Sequence, residues 1–296
     1  MKLYILIIST LLLLLVPFYS LAQDSTKAKE KKHWKFEWDD FEDWEVWKNK
    51  QPTISLDYGF SDISRSDMDA PFANNNLIEL KLGYTHKKIT KYADYIEKNT
   101  FNYLFLNHNT TNLAGGSGTT SDIETQIWQF GISWSKGYGY KIGEDASLIP
   151  YYTSTMNWTN IDFGDDSLDA NDERIKDLYD GAFRFGTSGE TGIRIQPTKL
   201  IAFQAGYERV VVFERHLFWK WAGSEVIELA ANGLLDVFIK EIFKSSPAAG
   251  PVVYFVLKSA LNYGIYELRQ DKMNWPFPSA PPIAMDNIKF GVTFTF

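Results

Sequence analysis

Residues 288–296 read Ile-Lys-Phe-Gly-Val-Thr-Phe-Thr-Phe. Ile288, Phe290, Val292, Phe294 and Phe296 fall on one side of an extended chain, and Lys289, Gly291, Thr293 and Thr295 on the other. Successive side chains of a β-strand point to opposite faces, so a period of two predicts a strand with one apolar and one polar face. A helix, at about 3.6 residues per turn, would scatter the same residues around its axis.

The same period recurs back to residue 52. Ile54, Leu56, Tyr58 and Phe60 alternate with Ser55, Asp57 and Gly59. Ile78, Leu80, Leu82 and Tyr84 alternate with Glu79, Lys81, Gly83 and Thr85. Trp128 to Trp134, Tyr152 to Trp158, Phe183 to Ile195 and Ile201 to Tyr207 behave alike, while Phe101 to His108 is strand-like with a blurred alternation. That makes eight strands. The gaps between them alternate in length. Those at 61–75, 109–122 and 159–182 are long, and those at 87–99, 136–147 and 196–199 are shorter. Such alternation predicts an antiparallel, up-and-down order with long connections at one end. A soluble β-sandwich would also alternate. Two features favour a transmembrane barrel. Charges interspersed with Gly and Ser suit a packed lumen, and aromatic residues near segment ends suit interfacial girdles.

Composition agrees. Aromatic residues make up 16% of the 296, and there is no cysteine. Lys2, the apolar run Leu3 to Val16, Pro17 and Ser20-Leu21-Ala22 predict a signal peptide over residues 1–22. Without Lys2 the chain carries 29 Lys and Arg against 37 Asp and Glu, a net −8, which argues against a nucleic-acid partner. Absence of cysteine excludes thiol catalysis and thiolate metal sites. Residues 23–51 read as a polar leader followed by Trp38, Phe41, Trp44 and Trp47, spaced for one helical face. That face suits either the membrane interface or a strap on the barrel rim.

Residues 52–212 are therefore expected to hold strands one to seven, 213–285 an insertion, and 286–296 the closing strand. Within the insertion, Ser224 predicts the cap of a helix reaching about Phe243. Ser245 to Gly250 breaks it, and Pro251 can open a second helix to about Leu268. By strand parity this hairpin leaves from the long-connection end. Three placements are open: a cap on the barrel mouth, a helix pair on the membrane surface, or an apolar surface for a protein partner through residues 214–285.

The closing stretch resembles the terminal strand of bacterial outer-membrane β-barrel proteins, and Phe290, Val292, Phe294 and Phe296 are the matching positions. In size the chain is similar to the small OmpA/OmpX-type barrels. The resemblance implies an eight-stranded barrel in the outer membrane, outer-membrane lipid around it, and recognition of that strand by the barrel assembly machinery. A helical hairpin before the last strand departs from the pattern.

The expected function is that of a structural or partner-binding scaffold, with transport of small or lipophilic molecules as an alternative. Neither a cofactor nor a metal is expected. Asp57, Glu79, Lys81, Arg184, Glu190, Arg194 and Glu208 are expected to face the lumen as a mutually paired network. A lipid-modifying enzyme of this class would need a His beside a Ser and a carboxylate. His108, near Ser117 and Ser121, is the candidate, although no motif supports it. His33, His86 and His216 complete the set. Asp162 to Glu173, with six acidic residues, lacks the ordered spacing of a calcium loop and reads as a solvated acidic loop.

Overall fold

A computed structural model describes residues 50–111, 122–164 and 168–296. The expected signal peptide, the Trp-rich segment to residue 49, Ser117 and Ser121 lie outside the described residues. Eight strands form one closed barrel: β1 (Gln51–Ser64), β2 (Asn75–Ile89), β3 (Ile96–Thr110), β4 (Thr125–Lys141), β5 (Ser147–Phe163), β6 (Arg184–Gln196), β7 (Ile201–Val212) and β8 (Ile283–Thr295). Each strand pairs antiparallel with its sequence neighbours. β8 closes the ring on β1, with Leu56 opposite Val292 and Tyr58 opposite Phe290.

The sheet is inside-out. Ile54, Leu56, Leu80, Leu104, Phe130 and Phe290 are exposed on the outer wall, whereas Asp57, Glu79, Lys81 and Lys289 are buried within. In water this arrangement would cost both ways; in lipid each face meets its own kind. Closure also pairs every strand edge, which the hydrocarbon region demands. The strands exceed the roughly 9–11 residues that cross a bilayer. β3 explains its blurred pattern. Phe101, Tyr103 and Phe105 point inward and are buried, so aromatic residues occupy both faces.

Residues 90–95, 142–146 and 197–200 make short turns at one end, and the other end carries the long connections. There the inward-facing residues become aliphatic: Ile63, Ile127, Ile161, Val210 and Met285. A helix, α1 (Ala170–Tyr179), seals this layer with Ile175 and Tyr179. The expected solvated acidic loop is thus corrected in part. Asp169 caps α1 by accepting from the amides of Asn171 and Asp172. Asp172 is buried and accepts from the amides of Asp69 (3.2 Å) and Ala70 (2.9 Å), tying α1 to the first connection. Acidic residues in a first helical turn meet unpaired amides and the positive end of the dipole. Arg65 locks the same end together, donating to Asp67 (2.6 Å), Tyr179 (2.8 Å) and Glu214 (3.0 Å). Burial opposes its charge, but these partners outweigh burial and raise its pKa.

The insertion forms two helices, α2 (Phe218–Ser245) and α3 (Gly250–Gln270), joined by a single 3-10 turn (Pro247–Ala249). Ser224 does not cap α2, which starts six residues earlier. It is buried in mid-helix and accepts from Arg269 at 3.1 Å. The hairpin leaves and rejoins the barrel at the long-connection end, yet it neither caps the mouth nor lies across it. It runs down the outside of the wall to the short-turn end. Arg269 meets Thr187 (3.3 Å), Asn262 donates to the Gly189 carbonyl (3.3 Å), and Tyr254 donates to the Lys136 carbonyl (3.3 Å). At the tip, Phe243 stacks on Tyr92 of the 90–95 turn at 5.3 Å between ring centres. Tyr140 donates to the Ala248 carbonyl at 2.6 Å. The wall is prepared for this cover. On β6 the outward positions in mid-strand are Thr187, Gly189 and Thr191 rather than large apolar residues, while β4 and β5 meet the hairpin with Tyr138 and Tyr152.

Candidate functional site

Mid-barrel, inward positions of five strands meet in a belt of charge. β1 supplies Asp57, β2 supplies Glu79 and Lys81, β6 supplies Glu190, β7 supplies Glu208, and β8 supplies Lys289. All are buried. Lys81 Nζ lies 2.5 Å from Asp57, 3.0 Å from Glu79 and 3.6 Å from Glu190. Lys289 Nζ lies 2.6 Å from Glu190, 2.9 Å from Glu208 and 3.1 Å from Glu79. Two ammonium groups thus bridge four carboxylates. Neutral donors complete the shell: Gln204 to Asp57 (2.8 Å), Asn287 to Glu208 (3.0 Å), Ser188 to Glu208 (2.7 Å), and Tyr151 to Glu190 (2.5 Å). A buried ion costs several kcal/mol to desolvate, and only such multiple pairing offsets it.

Glycines let the belt close. A Cβ on Gly291 would fall 1.5 Å from Asp57 Oδ1, so the absent side chain is the space that the carboxylate fills. Toward the short-turn end, Arg194 donates to Gln204 (3.0 Å) and Asn99 (3.3 Å) and sits over the rings of Tyr151 and Phe101. Tyr103 offers its ring to Lys81 at 5.2 Å. Aromatic rings therefore occupy much of the cross-section. An eight-stranded barrel is just wide enough for its own side chains.

The structure brings together Asp57, Glu79, Lys81, Glu190 and Glu208. Arg194 stands one layer away, on Gln204. Arg184 shares the inward parity but starts β6 at the far end, opposite Thr159, outside the belt. Lys289 is the central cation that sequence reasoning left off the network. Its parity with Gly291 and Thr293 placed it on the polar face, but only the ring closure puts it against β6 and β7. Tyr151 and Gln204 were hidden likewise, being uncharged.

The remaining candidates are dispersed. His108 points outward and stacks on Trp128 at 4.2 Å. His216 packs among Phe185, Phe218 and Trp221, and His86 stands on β2 opposite Thr100. Among the described residues, no group of three or more acidic or His side chains is arranged to hold a metal ion. Phe290, Phe294 and Phe296 are exposed on the outer face of the closing segment, with Val292 between them half-buried.

Fold and surface together define a small transmembrane β-barrel of the outer-membrane type, its lumen filled and charged. Comparison with solved structures finds similar chains. Neisserial surface protein A aligns over 83% of this chain and 97% of its own at 10% identity, with a TM-score of 0.38. Ail, the attachment invasion locus protein of Yersinia pestis, aligns over 84% and 99% at 7% identity, TM-score 0.33. The outer-membrane protein OprG from Pseudomonas aeruginosa aligns over 84% and 97% at 14% identity, TM-score 0.24. No protein-family profile matches the sequence, and no curated protein does.

Proposed function

We propose that this chain is a barrel of the bacterial outer membrane that serves as a sealed scaffold and not as a pore. The observation that carries the reading is the lumen belt. Lys81 and Lys289 bind four carboxylates drawn from β1, β2, β6 and β7 across the full width of the barrel. A water-filled path would leave these ions solvated and unpaired. Above the belt, the aliphatic layer under α1 supports the same reading. Within this proposal the outward face of β8, with Phe290, Val292, Phe294 and Phe296, is the segment an assembly machinery would read. A protein partner would meet residues 214–285 at the aqueous ends of the hairpin.

The test is electrical. The purified full chain, refolded into planar phosphatidylcholine bilayers, should add no stable conductance steps. Reproducible steps from the folded protein would overturn the scaffold reading in favour of a transporter of small solutes.

A further inference from the structure

The hairpin is built the opposite way round from a helix pair on a soluble protein. From Val226 to Phe238, the exposed positions of α2 carry only Val, Ile, Leu, Ala, Gly and Phe. In α3 the exposed residues are Val252, Val256, Ala260 and Tyr263. These recur every three or four residues and make one stripe facing away from the barrel. Leu229 is 67% exposed and Val237 65%.

The charges are turned inward. Arg269 Nη2 binds Glu225 (2.9 Å) and Glu228 (3.1 Å), and Lys258 binds Asp236 (2.8 Å), all between the two helices. Arg209 of the barrel wall binds Glu267 (3.0 Å) and Asp286 (3.3 Å). Exposed charge returns on α2 only at Glu241 and Lys244, beside the tip. At the other end stand Phe218 and Trp219, the latter 83% exposed, as aromatic side chains stand at a membrane interface. No helix of the described residues is long and apolar enough to cross a membrane on its own. The polar residues that lower their hydropathy pair with each other and with the wall, with the Asp236 side chain left 40% exposed.

The lengths agree. Trp221 packs near Phe185 at the long-connection end, and Phe243 packs on Tyr138 near the short turns. Between them α2 rises about 33 Å at 1.5 Å per residue, against a hydrocarbon thickness of about 30 Å. The exposed barrel belt of Phe130, Ile132 and Trp134 falls between the same two levels, since Phe130 stacks on Trp158 beside Phe185 and Tyr138, further along β4, packs on Phe243.

We infer that α2 and α3 form a helical hairpin embedded in the bilayer beside the barrel, with lipid acyl chains covering the stripe from Val226 to Phe238 and Val252 to Tyr263. The inference rests on the barrel itself being in a membrane. The hairpin replaces part of the barrel's own lipid-facing wall and widens the protein's footprint in the hydrocarbon layer. Protein ligands are thereby restricted to its two aqueous ends.

Because the chain has no cysteine, single cysteines report position cleanly. Leu229→Cys, Val237→Cys, Val256→Cys, Leu80→Cys (barrel wall) and Glu241→Cys would each be labelled with bimane. The full-length proteins would then be reconstituted into phosphatidylcholine vesicles with or without brominated acyl chains. Brominated lipid should quench the label at the three hairpin positions as strongly as at Leu80, and much less at Glu241. Quenching at Leu80 without quenching at Leu229, Val237 and Val256 overturns the inference and leaves the barrel reading standing. Protection of the hairpin positions only at high protein-to-lipid ratio, with no quenching, would show a second copy as the cover and overturn it too. Absence of quenching at Leu80 would sink both.

Discussion

Each charge of the mid-barrel belt is held by more than one partner, so single substitutions there should cost more than surface ion pairs do. Lys289 is the sharpest case. Lys289→Met keeps much of the volume but leaves Glu79, Glu190 and Glu208 facing one another with Lys81 as the nearest cation. Removing one member of a buried pair typically costs about 3–5 kcal/mol. The urea midpoint for loss of the heat-modifiable band in detergent should fall accordingly, and adding Glu190→Gln should restore part of it. A midpoint unchanged by Lys289→Met would show that water reaches the belt and screens it. At this scale parity alone made the inward set legible: Asp57, Glu79, Lys81, Glu190, Arg194 and Glu208 were all readable from a period of two. Which of them touch was not, because contact across a barrel depends on shear and closure rather than on sequence spacing. Lys289 pairs with residues 79, 190 and 208, positions scattered over the whole chain.

Elements were legible where the pattern was pure and obscure where two environments were mixed. β8 and β2 announced themselves. β3 did not, because the lumen takes three aromatic rings from it. The acidic stretch before residue 173 hid α1, whose Asp169 and Asp172 serve as cap and tether. In α2 the apolar residues lie on the outer side and the polar ones against α3, so a rule that seeks an apolar face for burial misreads the direction. One signal was available: β6 carries Thr187, Gly189 and Thr191 at outward positions where its ends carry Phe185 and Ile193. A lipid-facing strand has no use for that polarity, whereas a covered one does. Gly189 marks the closest approach. A Cβ there would fall 1.9 Å from Asn262 Oδ1. Gly189→Leu should therefore push α3 away from the wall at an overpacking cost of about 1–3 kcal/mol. Hydrogen exchange should accelerate through residues 255–268 while the β1–β8 amides stay protected. Equal protection in both forms would mean that the hairpin is not held at this point.

For the whole molecule, the strand count, the up-and-down order and the alternation of long and short connections followed from the sequence. The hairpin's placement did not. Helices beside a barrel wall are stabilised by polar contacts and close packing rather than by release of water, and those contacts join residues about 70 to 120 positions apart, such as Asn262 with Gly189 and Tyr254 with Lys136. Sealing and lipid compatibility both require the barrel to be closed, because an open sheet would leave β1 and β8 edges unpaired in lipid and would dissolve the belt. Closure brings Leu56 directly opposite Val292 although 236 positions separate them in the chain. The most direct measurement is oxidative crosslinking of a Leu56→Cys/Val292→Cys double variant in isolated membranes, with a membrane-permeant oxidant. The predicted result is a reducible intramolecular crosslink in nearly all of the folded chain, absent from either single variant. Folded protein in which both thiols stay free under the same oxidation would contradict a closed barrel.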